Sequence, residues 1–335
     1  MTANTASMRA LVLEAANTPF VSRQVARPVA GPGQVLVQVH ASGVNPLDSK
    51  IRAGAAAHAK HPLPGVLGMD LAGVVRGVGA GVERWRVGDE VYGLTGGVAG
   101  LQGSLAEFVA VDADLLARKP ANLSMREAAA LPLIAITAWE GLVDRAGVQA
   151  GQKVLVHGGA GGVGHVAVQI AKAFGAEVFA TASAADADIV RRFGATPIDY
   201  ASATVDDYVG QHTAGRGFDV VFDTVGGPVL DASFRAARTY GGHVVSALGW
   251  GTHSLAPLSF RAATYSGVFT LLPMLSGNGR AHHGQILEQV TKLVESGRLA
   301  PRMDARRFTL DTALDAHEEV AAGRARGKVV VDVAG

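Results

Sequence analysis

Apolar and polar residues follow two different periods along the chain, and the change falls near residue 121. Before it, short stretches alternate. Residues 34–40 place Val35, Val37 and Val39 on one side, the pattern of a half-buried strand. Residues 9–13, 66–75, 91–93 and 106–111 are further strand candidates, separated by turns at 31–33 and 87–90. Region 9–120 therefore predicts an antiparallel, barrel-like unit.

After residue 121 the pattern becomes helical. Residues 124–130 open like a capped helix, and 136–145 continue in helical style. From 153 onward strands and helices alternate: strands at 153–157, 177–181, 218–223 and 243–247, helices at 163–174 and 186–193. Val166, Ile170 and Phe174 share one stripe of the first of these helices. Such alternation predicts a doubly wound parallel sheet. An apolar stretch at 267–275, helices at 285–296 and 310–322, and a strand at 328–333 close the chain, the last strands rejoining the first unit.

Length and composition sharpen this picture. At 335 residues the chain has room for about two domains. Thirty Lys+Arg against 29 Asp+Glu leave a net charge of +1, which gives no electrostatic reason to expect nucleic acid or an anionic membrane as partner. No apolar run reaches the ~18 residues of a membrane span. Residues 1–7 lack the basic and apolar regions of a secretory leader and read as a disordered extension, so cytoplasm is the expected compartment. Cysteine is absent, which excludes disulfides, thiolate metal sites and a Cys nucleophile.

The 43 glycines have their most informative cluster at 158–164. Gly159, Gly161 and Gly164 fit G-x-G-x-x-G, with Gly162 and Val163 between them, after a strand and opening a helix. Glycine lets the backbone turn sharply and approach a pyrophosphate, and the helix N-terminus offers it free N–H groups. The second part of this dinucleotide fingerprint is an acid at the tip of the next strand. Here that tip reads Ala182-Ser183. A missing carboxylate removes a ribose acceptor and a repulsion against a 2′-phosphate, so NADPH is expected over NADH. Ser183 could donate to that phosphate, supported by Tyr200, Arg191 and Arg192, while Asp186 and Asp188 oppose it.

With these residues in view, the chain from about Met8 to Val333 resembles the medium-chain dehydrogenase/reductase superfamily, in its zinc-independent quinone oxidoreductase (zeta-crystallin-like) branch. The matching stretches are 41–54 (ASGVNPLDSKIRAG), 64–75 (PGVLGMDLAGVV), 88–93 (GDEVYG), 103–110 (GSLAEFVA), 137–142 (TAWEGL), 154–164, 218–227 (FDVVFDTVGG) and 327–331 (GKVVV). The resemblance implies an α/β fold: a GroES-like β-barrel catalytic domain from 8–125 and 270–335, with a Rossmann doubly wound parallel sheet, 126–269, inserted between. At the positions matching the zinc ligands of its alcohol dehydrogenase relatives stand Asn45, Met69 and, less securely, Leu133, so no catalytic zinc is expected.

The resemblance also implies site residues. Asn45 stands at the vacated ligand position, where it would hydrogen-bond substrate or nicotinamide, or else cap its own loop. Lys50 resembles the lysine of enone-reductase members that holds the nicotinamide ribose or a substrate oxygen; Asp48 is expected to be structural, pairing with Lys50. Tyr92 offers a phenol as hydrogen-bond or proton donor, or else is a half-buried strand tyrosine. Thr137 matches a nicotinamide contact, and Ala247, Leu248 and Gly249 a segment facing the carboxamide. Arg326 and Lys328 are expected at the cofactor phosphates, or else as charged ends of a turn. Ala187 stands where the family often has a lysine near the 2′-phosphate, which leaves use of both NADPH and NADH open. His157 reads as a structural strand-end residue.

Without a metal, hydride transfer suits an acceptor that is already electrophilic, a quinone or an α,β-unsaturated carbonyl. An enoyl-thioester reductase and a non-catalytic NADPH-binding sensor or structural protein are the alternatives. Residues 267–275 are too apolar for a solvated edge and predict a strand pairing across a homodimer axis.

Overall fold

The computed structural model describes residues 6–334. These divide into two compact units, one of residues up to Leu133 with 271–295 and 301–334, the other of 134–270 with 296–300.

The first unit holds β1 (Ser7–Leu13), β2 (Phe20–Ala26), β3 (Gln34–Gly43), β4 (Gly65–Val66), β5 (Asp70–Val78), β6 (Glu90–Leu94), β7 (Phe108–Asp112) and β8 (Leu116–Arg118). From the end of the chain come β15 (Phe308–Thr309) and β16 (Val330–Asp332). One small sheet runs β2-β1-β4; a larger one runs β15-β16-β3-β5-β6-β8, with β7 also on β3. All but the β15–β16 pair are antiparallel. Alternation places Val35, Val37 and Val39 in the core, all fully buried. β2 is absent from the sequence expectation because its residues are mostly exposed. Of the extension expected over 1–7, residues 1–5 lie outside the described residues, and Ser7 already pairs with Ala26.

Between β3 and β4 stands helix α1 (Pro46–Arg52), and after β8 helix α2 (Met125–Ala129). α2 begins at a capping box: Glu127 Oε2 accepts the Ser124 N–H at 2.9 Å while Ser124 Oγ accepts the Glu127 N–H.

The second unit begins within helix α3 (Pro132–Trp139), which passes directly into a π-helical segment, Glu140–Arg145. It then holds β9 (Lys153–His157), helix α4 (Gly162–Ala173), β10 (Glu177–Ala182), β11 (Thr196–Asp199), β12 (Val220–Asp223), β13 (His243–Ser246) and β14 (Thr264–Gly267). The order β11-β10-β9-β12-β13-β14 is all parallel, with β9 central. Central strands covered on both faces must be apolar throughout, and Val220, Val221 and Phe222 are buried accordingly. Leu155, Phe179, Phe218, Phe234 and Val244 form the core beside them. Burying each such side chain contributes roughly 1.5–3 kcal/mol.

One expectation is corrected here. Residues 267–275 do not form the edge strand. β14 ends at Gly267, their first residue, and the stretch itself turns into the short helix Leu272–Ser276, with Val268, Leu271 and Met274 buried. An apolar run of this length does not by itself distinguish strand from helix.

Candidate functional site

In the second unit the glycine loop joins β9 to α4. Gly158 has φ +71°, a region glycine enters without strain. A Cβ on Gly159 would stand 2.4 Å from Ala180 Cβ, and one on Gly164 2.0 Å from the Gly158 oxygen. The loop is pinned by Gly159 N–H donating to Thr181 O at 2.9 Å and Gly161 N–H to Gly158 O at 2.8 Å. Gly161 is the N-cap of α4 and brings no side chain to its first turn. The N–H groups of Gly162, Val163 and Gly164 thus begin a helix with the cradle open, and Gly161 and Gly162 are exposed. This shape and its partial positive charge fit a dinucleotide pyrophosphate.

Two neighbouring strand tips are tied beside this loop. Asp223, fully buried, accepts the N–H groups of Val225 and Gly226 at 3.0 and 2.9 Å and the Ser246 hydroxyl at 2.7 Å. Ser246 Oγ in turn accepts the Leu248 N–H at 3.0 Å, and Asp223 O the Ala247 N–H at 3.1 Å, which ties down the start of the segment 247–249. His157 is buried, with Nδ1 at 3.2 Å from Thr181 Oγ1. Burial pushes its pKa down to about 4, against a weaker opposing pull from Asp223. It is a neutral structural histidine.

Thr137 is buried on α3, one turn before the π segment, and its hydroxyl lies 2.9 Å from that of Thr270. Single π turns inside helices concentrate at functional sites.

At the tip of β10, Ser183 does not stand ready for a phosphate: its hydroxyl donates to Asp186 Oδ2 at 2.9 Å. Arg191 pairs with Asp188 at 2.6 Å, and Tyr200 is exposed. A depression of about 330 Å³ lies here, lined by Ser183, Ala187, Asp188, Arg191 and Asp199 among others. Asp199 was not anticipated. It ends β11 directly opposite Ala182, and its carboxylate accepts from Ala201 N–H and Ser202 Oγ at 3.1 Å each.

In the first unit four expectations change. Asn45 is fully buried with both ends of its amide engaged: Oδ1 accepts from Lys328 Nζ at 2.5 Å, and Nδ2 donates to Asp70 Oδ2 at 2.9 Å. It is enclosed as the N-cap of α1, the second of the two roles expected for it, and not presented to a substrate. Lys328 is buried too, its Nζ also donating to Val44 O at 3.0 Å, so it does not reach out to phosphates. Tyr92 is fully buried; its hydroxyl donates to Leu287 O at 2.7 Å and meets Thr291 Oγ1 at 3.0 Å. Burial pushes this phenol well above its ordinary range, the opposite of what a proton donor needs. It anchors the helix Arg280–Glu295.

Asp48 does not pair with Lys50. It is buried, and its Oδ2 accepts the Asn45 N–H at 2.9 Å. Asp70 Oδ1 accepts the Leu133 N–H at 2.9 Å. Burial drives Asp48 up to about 7 and Asp70 to about 6, and drives Lys328 down. Lys50 and Arg326 are exposed. Sequence reading missed the Asp70–Lys328 relationship, for which the chain carries no local signal.

The zinc-ligand positions do not fit zinc. The Asn45 amide is used up by Lys328 and Asp70, Met69 offers a buried thioether, and Leu133 a hydrocarbon. Among the described residues no group of three or more His, Asp or Glu side chains is arranged to hold a metal ion.

Comparison with known proteins agrees with this architecture. Residues 31–121 match the model of the alcohol dehydrogenase GroES-like domain, and 193–331 that of the zinc-binding dehydrogenases. The latter description conflicts with the donor set above, and the donor set is the more direct evidence for this chain. A tomato (Solanum lycopersicum) 2-methylene-furan-3-one reductase is 38% identical over 92% of this chain and 74% of its own length. The chloroplastic NADPH-dependent alkenal/one oxidoreductase of Arabidopsis thaliana is 38% identical over 89% of this chain and 72% of its own. An alcohol dehydrogenase superfamily protein from Novosphingobium aromaticivorans superposes with TM-score 0.95 at 61% identity, covering 98% of this chain and 100% of that one. With its glycine cradle, its parallel sheet and its remodelled ligand positions, the chain belongs to the medium-chain dehydrogenase/reductase superfamily, in the zinc-independent branch, and is a nicotinamide-dependent oxidoreductase.

Proposed function

We propose that this enzyme uses NADPH to reduce α,β-unsaturated carbonyls, with quinones as a second class of electrophilic acceptor, and that it works as a homodimer. The observation that carries the reading is the occupancy of the ligand positions by Asn45, Met69 and Leu133, a set that cannot polarise an unactivated carbonyl through zinc. The acceptor must then be electrophilic on its own account, as the substrates named for the tomato and Arabidopsis relatives are.

A nicotinamide bound by the chain would supply a hydride to the electron-poor β-carbon, and the enolate so formed would take a proton from solvent at its α-carbon. The open N–H groups of Gly162, Val163 and Gly164 would hold the pyrophosphate, and the Thr137 hydroxyl the nicotinamide end. Ala247, Leu248 and Gly249, tied down at their start by Asp223 and Ser246, would offer backbone contact. Negative charge grows on the acceptor oxygen, and the exposed ammonium of Lys50 is the donor assigned to it. Arg326, also exposed, is assigned to a phosphate.

The absence of an acid at Ala182-Ser183 and the NADPH of the Arabidopsis relative's name support NADPH. The Ser183–Asp186 bond and Asp199 work against it, so NADH is the second cofactor to test. The homodimer reading rests on β14, which has a partner on one side only, and on Tyr240 and Phe260, about four-fifths exposed. Sedimentation at micromolar concentration returning a monomer would overturn it.

The test of function is to titrate NADPH and NADH by fluorescence, then to follow NADPH oxidation with a short enal, a small quinone and an enoyl-CoA. Turnover of the enal is expected. Preference for the enoyl-CoA moves the substrate class to thioesters, and binding without turnover on any acceptor overturns the enzymatic reading.

A further inference from the structure

Among the described residues of the first unit, Lys328 is a buried cation, 5% exposed. Its ammonium donates to Val44 O and Asn45 Oδ1. On the far side of the same amide, Asp70 accepts from Asn45 Nδ2. An oxygen facing an ammonium and a nitrogen facing a carboxylate leave that amide one orientation only. Asp48 closes the arrangement from α1 by accepting the Asn45 N–H, and its Oδ1 is buried without a hydrogen-bond partner.

Stability alone is a weak reason for such a cluster. Taking charges out of water costs several kcal/mol per ion, and apolar replacement of a buried ion pair is often neutral or better. What the cluster does fix is direction. Val44 and Asn45 are the entry to α1, and Asn45 is its N-cap. Further along the helix Ser49 Oγ donates to His317 O at 3.0 Å. A seven-residue helix held at its start and its middle has little freedom left, and Lys50 is exposed on it beside Pro46.

We propose that Lys328 is a positioning residue for hydride transfer: with Asp70 it clamps Asn45, and through it holds α1, and with it Lys50, in one orientation. This rests on the role assigned to Lys50 above.

The experiment compares Lys50→Met, Lys328→Met and the double variant, reading kcat and KM with a short enal, and the NADPH Kd by fluorescence. Lys50→Met is expected to lower kcat tenfold or more. Lys328→Met is expected to lower kcat by a comparable factor, with the NADPH Kd and KM changed less than twofold. The double variant is expected to be no slower than Lys50→Met. If the two losses multiply, or if Lys328→Met keeps wild-type kcat, Lys328 does not act through Lys50 and the inference is overturned while the role of Lys50 stands. If Lys50→Met itself keeps wild-type kcat, the role of Lys50 falls and this inference with it. Should Lys328→Met not fold, the same comparison is made with and without Lys50→Met in a Lys328→Met/Asp70→Asn background, which removes both charges together.

Discussion

Asn45 and Lys328 are 283 positions apart in the chain and 2.5 Å apart in the fold. The antiparallel pairing of β16 with β3, with Val330 opposite Gly43, carries the end of the chain back to the residues that follow β3. The N-cap of α1 is thereby built from both chain ends, and two carboxylates are drawn into its burial.

That burial has a pH signature. Asp48 ordinarily titrates near 3.8 and is driven up to about 7, first by desolvation. A raised carboxyl pKa means the folded state holds its proton more tightly than the unfolded one. The associated stability is full below about pH 4 and is lost as pH rises to about 7, on the order of 4 kcal/mol at one pKa unit per 1.4 kcal/mol. Asp48→Asn, which can still accept the Asn45 N–H, removes this dependence. Urea unfolding from pH 4 to 8 should show the variant gaining on wild type as pH rises. A constant difference across that range would show that Asp48 does not titrate as its burial requires.

How far the sequence reveals this site depends on where the cause lies. The β9–α4 loop is legible because its cause is local: Gly164 touches Gly158 and Gly159 touches Ala180, contacts that any residue with a Cβ would break. The burial of Tyr92 and Lys328 has no local cause. One is covered by the helix Arg280–Glu295 and the other enclosed through the β16–β3 pairing, both contributed by distant chain. Both residues read as polar side chains beside family motifs and are in fact anchors. Likewise, Ser183 is visible at its strand tip, but its bond to Asp186 depends on the turn Ala184–Asp186 that follows.

Tyr92→Phe separates anchor from catalyst. The variant deletes the hydroxyl bonded to Leu287 O and Thr291 and leaves Leu287 O short of a donor. A loss of about 1–2 kcal/mol in stability is expected, read by thermal or urea unfolding, with kcat and KM at wild-type values. A tenfold loss of kcat in a variant of unchanged stability would return Tyr92 to the reaction.

The acid limit of stability should depend on His317. It is buried, edge-on to Phe20 at 5.0 Å, and driven down to about 3 by desolvation and by Arg52. Below pH 6.5 the unfolded chain takes up a proton that the folded one refuses, so stability is full above 6.5 and falls toward pH 3. By pH 4 this amounts to about 3 kcal/mol. His317→Leu should unfold less steeply with acid, while remaining within about 1 kcal/mol of wild type at pH 7.5. Parallel pH profiles for the two proteins would contradict this.

Cofactor preference should respond to Asp186. Its carboxylate holds the Ser183 hydroxyl, and on the proposed NADPH reading its charge would repel a 2′-phosphate bound there. Asp186→Ala frees the hydroxyl and removes the charge together. The ratio of NADH to NADPH dissociation constants should rise roughly fivefold, equivalent to about 1 kcal/mol. An unchanged ratio by fluorescence titration would place the 2′-phosphate away from this tip.

The glycine cradle makes two different predictions for one substitution. At Gly161 the backbone has φ −75°, open to any residue, and an added Cβ meets only the Gly158 oxygen at 3.1 Å. Gly161→Ala should therefore fold, with a melting temperature near wild type, yet place a methyl group at the exposed mouth of the cradle and weaken NADPH binding tenfold or more. At Gly164 the same methyl would lie 2.0 Å from that oxygen, inside the packing of helix against loop. Gly164→Ala must displace the loop itself, so it should lose stability and cofactor binding together, by 2 kcal/mol or more on the scale of roughly 1–3 kcal/mol for overpacked sites. Equal cofactor affinity in Gly161→Ala and wild type would show that the pyrophosphate does not approach this backbone.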